Sequence, residues 1–98
     1  MEIQKTKNDT KLTLTLIGRL DTNTAPQLDS VLDTELAGIT ELILDIEALD
    51  YVSSAGLRSF LGAMKKMTKQ GSMKIIHVND TIMEVLEITG FADILTIE

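Results

Sequence analysis

The sequence predicts one small α/β domain, with a mainly parallel sheet that begins in an antiparallel hairpin. Strand patterns alternate with helical periodicity along most of the chain, which is typical of helices that connect parallel strands. The first two strand patterns instead follow each other across a short turn signal, as in a hairpin. A length of 98 residues fits a single domain over residues 1–98.

The predicted hairpin consists of two segments joined by a turn at Asn8-Asp9. Residues 2–7 have a weak strand pattern, and residues 11–17 alternate leucines with threonines. An alternation with a period of two indicates a strand with one apolar and one polar face. The threonines therefore predict that one face of the sheet meets water or a partner.

The first helix is predicted to begin at Thr24, after residues 18–21 leave the strand, and to end near Gly38. Thr24 and Gln27 have the spacing of a capping box, in which the two residues cap each other's backbone N–H groups. Pro26 falls in the first turn, where its missing N–H costs nothing. Glycine is frequent just after the end of a helix.

The remaining elements alternate between strands and helices, which gives the order ββαβαβαβ. Right-handed crossovers between neighbouring strands place the helices mostly on one face of the sheet. The run at 41–46 is almost continuously apolar, as expected of a central parallel strand. The other predicted segments are a helix at 54–69, a strand at 73–78, a helix from Asn79 or Asp80 to Gly90 and a strand at 94–97.

Charge and composition exclude several classes of function. The net charge of −6 argues against nucleic-acid binding, because that affinity comes largely from Lys and Arg at phosphates. There is no cysteine, so neither disulfides nor thiolate chemistry is available. The N-terminus is too polar for a signal peptide, and no apolar run approaches the roughly 18 residues that span a bilayer. We therefore expect a cytoplasmic protein that binds no membrane.

The stretch LDYVSSAGLRSFL, residues 49–61, contains the most informative residues. Ser53 and Ser54 open the predicted helix, where a serine can cap the first turn. The same position suits a phosphate, because the N–H groups and dipole at a helix N-terminus favour an anion. Gly56 costs the helix about 1 kcal/mol relative to Ala. It either allows close packing against a strand or leaves a bare backbone for a partner.

The sequence contains no set of residues that forms an enzyme active site. Asp21, Asp45 and Asp50 lie at or after predicted strands, and we interpret them as turn and cap acids rather than metal ligands. His77, the only histidine, is predicted to lie on a strand. The nucleophile elbow and the phosphate-binding glycine motifs are missing. We therefore expect no catalysis, no metal and no cofactor.

Three segments together resemble the STAS domain of bacterial anti-sigma-factor antagonists. GRLDTNTAPQL at 18–28 is similar to the segment before the first helix of that family. LDYVSSAGLRSFL resembles the family's phosphorylation motif, and NDTIMEVLEITGF at 79–91 resembles its last long helix. The segments are distributed in this order over residues 18–91, and the resemblance implies a single STAS domain.

The resemblance also implies a partner-switching mechanism. The unphosphorylated protein would bind an anti-sigma factor that is also a serine kinase, and so free a sigma factor. Phosphorylation of Ser54 would end that binding, and a PP2C-type phosphatase would restore it. Ser53 falls where relatives often have Asp. The resemblance places these partner-binding residues near the phosphorylated serine: Asp21, Thr22, Asp50, Ser53, Ala55 and Gly56.

Two other functions remain open at this stage. The chain could be a STAS subunit that is never phosphorylated, in a signalling assembly or a lipid-transport complex. It could also be a sensor of a small molecule or nucleotide. The polar sheet face predicts a monomer when the protein is free.

Overall fold

The computed structural model describes residues 1–98 as five strands and three helices. The predicted α/β class and the N-terminal antiparallel hairpin are confirmed. A short 3₁₀ turn follows the last helix. The elements are β1 Glu2–Asn8, β2 Lys11–Leu20, α1 Ala25–Glu35, β3 Glu41–Asp45, β4 Leu49–Val52, α2 Ser54–Thr68, β5 Ser72–Ile76, α3 Asp80–Ile88 and the 3₁₀ turn Phe91–Asp93.

The sheet is organised around β2, which pairs with three other strands. It is antiparallel to β1, and its N-terminal half is parallel to β3. Its C-terminal end is parallel to β4, and β3 pairs in parallel with β5. The strand order is therefore β1-β2-β3-β5, and β4 pairs with the C-terminal end of β2.

The core lies between one face of this sheet and the helices. Leu14 pairs with Leu44, and Leu44 pairs with Ile75, so all three side chains share that face. They belong to one buried, mainly aliphatic cluster with Phe60 of α2 and Leu28 of α1. Burial of this apolar surface is the main stabilising term for the fold.

The opposite face of the sheet has no helix over it and is less polar than predicted. Its threonines pair with neighbours that include Ile43, which is buried but lies outside the core cluster. Ile17 and Ile76 lie on this face as well, beside Asp45 and Lys74. The alternation in β2 therefore predicted an uncovered face correctly, but not its mixed composition.

Three segments differ from the sequence-based prediction. Residues 18–21 were predicted to leave the strand, but β2 continues to Leu20 through a register shift after Gly18, whose φ is +106°. The strand β4 was not predicted. The predicted strand at 94–97 is reduced to a single parallel bridge between Ile75 and Ile97.

No helix combines the length and the apolar character needed to cross a membrane.

Candidate functional site

The pairing of β2 with β4 brings the segment at 18–28 next to the segment at 49–61. Leu20 is the register partner of Val52, and the Ser53 N–H donates to the Leu20 carbonyl at 2.9 Å. Asp21 directly follows Leu20, and Ser54 directly follows Ser53. The loop after β2 and the start of α2 therefore form one continuous surface at this end of the sheet.

The two serines occupy different positions at the start of α2. Ser53 is the N-cap, in an extended conformation, and its Oγ accepts the Gly56 N–H at 3.3 Å. Ser54 is the first helical residue, is exposed, and makes no side-chain hydrogen bond. Its hydroxyl is therefore accessible without loss of the cap.

The start of α2, where Ser54 lies, favours an added negative charge. The first turn of α2 contains no acidic residue, and Lys65 and Lys66 lie in the last turn. The N-terminus of a helix has unpaired N–H groups and the positive end of the dipole. A phosphate on Ser54 would meet these groups and no acidic side chain of its own helix turn.

Asp21 organises the loop that faces this helix start. Its Oδ1 accepts the N–H groups of Asn23 at 3.0 Å and Thr24 at 3.1 Å. The backbone N–H of Thr24 contributes most to lowering the pKa of Asp21, partial burial opposes it, and Asn23 and Arg19 lower it further. Asp21 therefore holds a negative charge at neutral pH.

The predicted capping box at the start of α1 is wrong. Thr24 is the N-cap residue, but its hydroxyl accepts the Asp21 N–H at 2.8 Å and donates to the Arg19 carbonyl at 2.8 Å. The Gln27 amide reaches the Met1 carbonyl at 3.1 Å instead of the helix N-terminus. Pro26 does lie in the first turn, as predicted. The carboxylate of Asp21 accepts the Thr24 N–H that the Gln27 side chain of a capping box would have bonded.

Arg19 and Tyr51 form part of this surface and were missed by the sequence interpretation. They are register partners on β2 and β4, and the Arg19 guanidinium carbon lies 4.3 Å from the centre of the Tyr51 ring. The Arg19 Nε lies 3.8 Å from Asp21 Oδ2. Tyr51 is 41% exposed, although it is a large aromatic residue. Only a prediction of β4 and its register would have placed these two side chains together.

The other predicted site residues have different surroundings. Gly56 is buried, and a Cβ there would lie 2.7 Å from Leu20 Cγ and 2.9 Å from Val52 Cγ2. The glycine therefore allows α2 to pack closely on the ends of β2 and β4. Thr22 is exposed and Ala55 is half-buried.

Asp50 lies on β4, where the register with β2 shifts. Gly18 pairs with Leu49 and Arg19 pairs with Tyr51, so Asp50 is the extra residue of a bulge. Its side chain is exposed and forms no ion pair. Asp50 therefore adds negative charge to the surface that leads to the start of α2.

His77 lies just after β5 and not on the predicted strand. Its φ of +59° is left-handed, and its Nδ1 is 3.0 Å from Asp45 Oδ1. The hydrogen bond and the charge of Asp45 raise the pKa of His77, and Glu47 raises it further. Asp21 and Asp50 do not join this cluster. The three aspartates considered together in the sequence are thus not gathered at one site.

Comparison with known proteins identifies the family. The model of the STAS domain family matches residues 2–98. The chain belongs to the STAS domain family. The resemblance drawn from the sequence is thereby confirmed.

Relatives of this STAS domain include named regulators. The anti-sigma-B factor antagonist of Staphylococcus aureus is 30% identical over 97 residues, which cover 97% of this chain and 90% of that protein. The crystal structure of an anti-sigma factor antagonist from Mycobacterium paratuberculosis has a TM-score of 0.88 at 18% identity, covering 98% of this chain and 83% of the other. Unphosphorylated SpoIIAA, also an anti-sigma factor antagonist, has a TM-score of 0.77 at 20% identity, covering 99% and 87%. These structural likenesses establish the shared fold.

Proposed function

We propose that this STAS domain is an anti-sigma factor antagonist whose partner binding is switched off by phosphorylation of Ser54. The partner is an anti-sigma factor that is also a serine kinase, and a PP2C-type phosphatase reverses the modification. The chain provides the acceptor hydroxyl and the binding surface, performs no catalysis itself, and works in the cytoplasm. The names of its relatives support the class of function.

The proposal rests on the different roles of the two serines. Ser53 already uses its hydroxyl to cap α2, whereas the Ser54 hydroxyl is exposed and without a hydrogen bond. A kinase can reach an exposed side chain at a helix start without unfolding the helix. Phosphorylation of Ser54 would therefore alter the surface charge and leave the fold intact.

The charge of the surrounding surface explains how a phosphate would act. Phosphorylation adds close to two negative charges at neutral pH. In the free domain, the helix N-terminus stabilises them. In a complex, the phosphate would be placed in a desolvated contact beside the ionised Asp21, where like-charge repulsion and lost hydration oppose binding. The modified free form is thus favoured over the modified complex.

The pair formed by Arg19 and Tyr51 supports a protein partner at this end of the sheet. Arg and Tyr are enriched among the residues that dominate protein–protein binding energies. Both side chains are substantially exposed, and Asp21 links them to the loop beside the serines. We infer that the partner covers this pair together with the start of α2.

The proposal is tested by mapping the phosphate. The chain is incubated with ATP and the serine kinase encoded in its genome neighbourhood, and modified residues are located by mass spectrometry. We expect incorporation in the unmodified sequence and in Ser53→Ala, and none in Ser54→Ala. Lack of incorporation in the unmodified sequence, or equal incorporation in Ser54→Ala, would contradict the proposal and favour a STAS subunit that is not phosphorylated.

A further inference from the structure

A second group of polar side chains lies where β3 and β5 end. Asp45 is the last residue of β3, Glu47 follows two residues later, and His77 directly follows β5. Asp45 is the register partner of Ile76, so the parallel pairing places His77 next to the two acids. One ligand atom from each of the three residues lies within 4.8 Å of the others.

The distances in this group suit a metal ion bound by three ligands. The His77 Nδ1 lies 3.0 Å from Asp45 Oδ1 and 3.4 Å from Glu47 Oε2. Nitrogen and oxygen ligands about 2.0–2.1 Å from a tetrahedral Zn²⁺ stand about 3.3 Å from each other. Glu47 is highly exposed, so its side chain can adjust to an ion without disturbing the fold. The ligand atoms of Asp45 and Glu47 lie within 4.8 Å of each other, so movement of the exposed Glu47 side chain can bring the three donors onto one ion.

The charge balance of the group also favours a cation. Neither Asp45 nor Glu47 has a Lys or Arg within ion-pair distance, and the only basic side chain in contact with them is His77, which is charged only when protonated. A proton or a metal ion can supply the missing positive charge, and both compete for the same nitrogen lone pair.

The donor types indicate which class of metal fits. Mg²⁺ and Ca²⁺ take oxygen ligands, whereas an imidazole nitrogen suits Zn²⁺ and other divalent transition metals. Three protein ligands with a fourth position left to water is a common arrangement for Zn²⁺. The backbone of His77 is left-handed, with a φ of +59°, so the chain turns away from the direction of β5 at this residue. The imidazole ring of His77 contacts the carboxylate of Asp45.

We propose that Asp45, Glu47 and His77 form a binding site for a divalent transition metal ion of the zinc class. The ion would connect the segment after β3, through Asp45 and Glu47, to the segment between β5 and α3, through His77. Such a link joins two chain segments that are 30 residues apart, in addition to the hydrogen bond from Asn79 to the Leu49 carbonyl. The site is separate from Ser54 and does not depend on the proposed switch.

The composition of the chain makes a direct test possible. It contains one histidine and no cysteine, so His77 is the only imidazole or thiol available to an added metal. The full chain without a histidine tag is titrated with ZnCl₂ by calorimetry. We expect saturable binding of one ion per chain, with chemical-shift changes of the His77 ring in NMR spectra. A parallel titration with CaCl₂ should show weaker binding.

Variants locate the site. His77→Asn removes the ring, and asparagine tolerates the left-handed backbone at that position. We expect this variant to weaken Zn²⁺ binding by more than about tenfold. Removing a side chain that only hydrogen-bonds to a metal ligand already lowers metal affinity by about that factor. Asp45→Asn should do the same and provides a second test if His77→Asn fails to fold. Asp29→Asn, an exposed carboxylate on α1 outside the cluster, should bind as the unmodified chain does.

Two results would overturn the proposal. One is the absence of saturable Zn²⁺ binding to the folded chain. The other is equal affinity in the unmodified chain, His77→Asn and Asp45→Asn, which would mean that zinc binds to scattered surface carboxylates only. Neither result would affect the proposal for Ser54, whose readout is phosphate incorporation.

Discussion

At the scale of single residues, Ser53 and Ser54 are neighbours with separable contributions. Ser53→Ala removes the cap of α2 and should lower the free energy of unfolding by about 1 kcal/mol. Ser54→Ala removes an exposed hydroxyl without a partner and should change it by less than about 0.5 kcal/mol. Urea denaturation of both variants checks this. A larger loss in Ser54→Ala than in Ser53→Ala would show that the cap is assigned to the wrong serine.

The carboxylate of Asp21 should make stability depend on pH in the acid range. Its pKa is lowered in the folded state, chiefly by the Thr24 N–H, from about 3.9 in an unfolded chain. Its stabilising effect is therefore present above about pH 4 and is lost as the pH falls through the folded pKa.

Asp21→Asn keeps an oxygen acceptor but removes the charge, so it isolates this effect. Thermal unfolding of both proteins is followed from about pH 6 to about pH 2. The midpoint of the unmodified chain should exceed that of Asp21→Asn near neutrality, and the difference should shrink with acidification. A difference that stays constant over the whole range would exclude the proposed contribution of the charge.

At the scale of elements, the packing of α2 on the sheet depends on Gly56. An alanine there raises helix propensity by about 1 kcal/mol, but its Cβ would lie 2.7 Å from Leu20 Cγ, within a fully buried side chain. Overpacking typically costs 1–3 kcal/mol, so we expect Gly56→Ala to destabilise the domain.

Gly62 provides the matched control in the same helix. A Cβ at Gly62 has no neighbour within 4 Å, so Gly62→Ala should stabilise the domain by up to about 1 kcal/mol. Both variants are compared by urea denaturation. If both substitutions stabilised the domain, helix propensity rather than close packing would govern Gly56.

Long, regular elements follow from the sequence more directly than short or irregular ones do. The helix predicted at 54–69 is observed at Ser54–Thr68, because its apolar stripe is long and regular. The strand β4 has only four residues, and its buried ends enclose two exposed residues, so it shows no period of two. The last helix was predicted to be capped by Asn79 or Asp80, and Asn79 is the cap, with its Oδ1 accepting the Ile82 N–H. The Thr24 capping box failed because the Asp21 carboxylate accepts the Thr24 N–H, and the Thr24 hydroxyl bonds the Asp21 N–H and the Arg19 carbonyl.

At the scale of the whole molecule, the candidate sites depend on strand pairings that local patterns do not reveal. Resemblance to the family pointed to Ser54 and Asp21, and the β2–β4 register places their segments side by side. Arg19 and Tyr51 meet through the same register, and His77 reaches Asp45 through the pairing of β3 with β5. Each of these contacts joins residues about 30 positions apart, beyond the reach of periodicity or capping rules.

The uncovered face of the sheet bears on the oligomeric state. It mixes isoleucines with charged residues such as Asp45 and Lys74, so it lacks the continuous apolar character of an obligate dimer interface. We predict a monomer for the free chain, with a sedimentation mass near 10.8 kDa. A concentration-independent mass of twice that value would contradict the prediction.

In the proposed switch, phosphate on Ser54 prevents binding of the anti-sigma factor. The most direct measurement is the affinity of that factor for the chain before and after stoichiometric phosphorylation, with Ser54→Ala as the control that cannot be modified. We predict that Ser54→Ala binds like the unmodified chain and that phosphorylation weakens binding by about a hundredfold, since like charges in a contact cost several kcal/mol. Equal affinities of the phosphorylated and unphosphorylated chains would contradict the account.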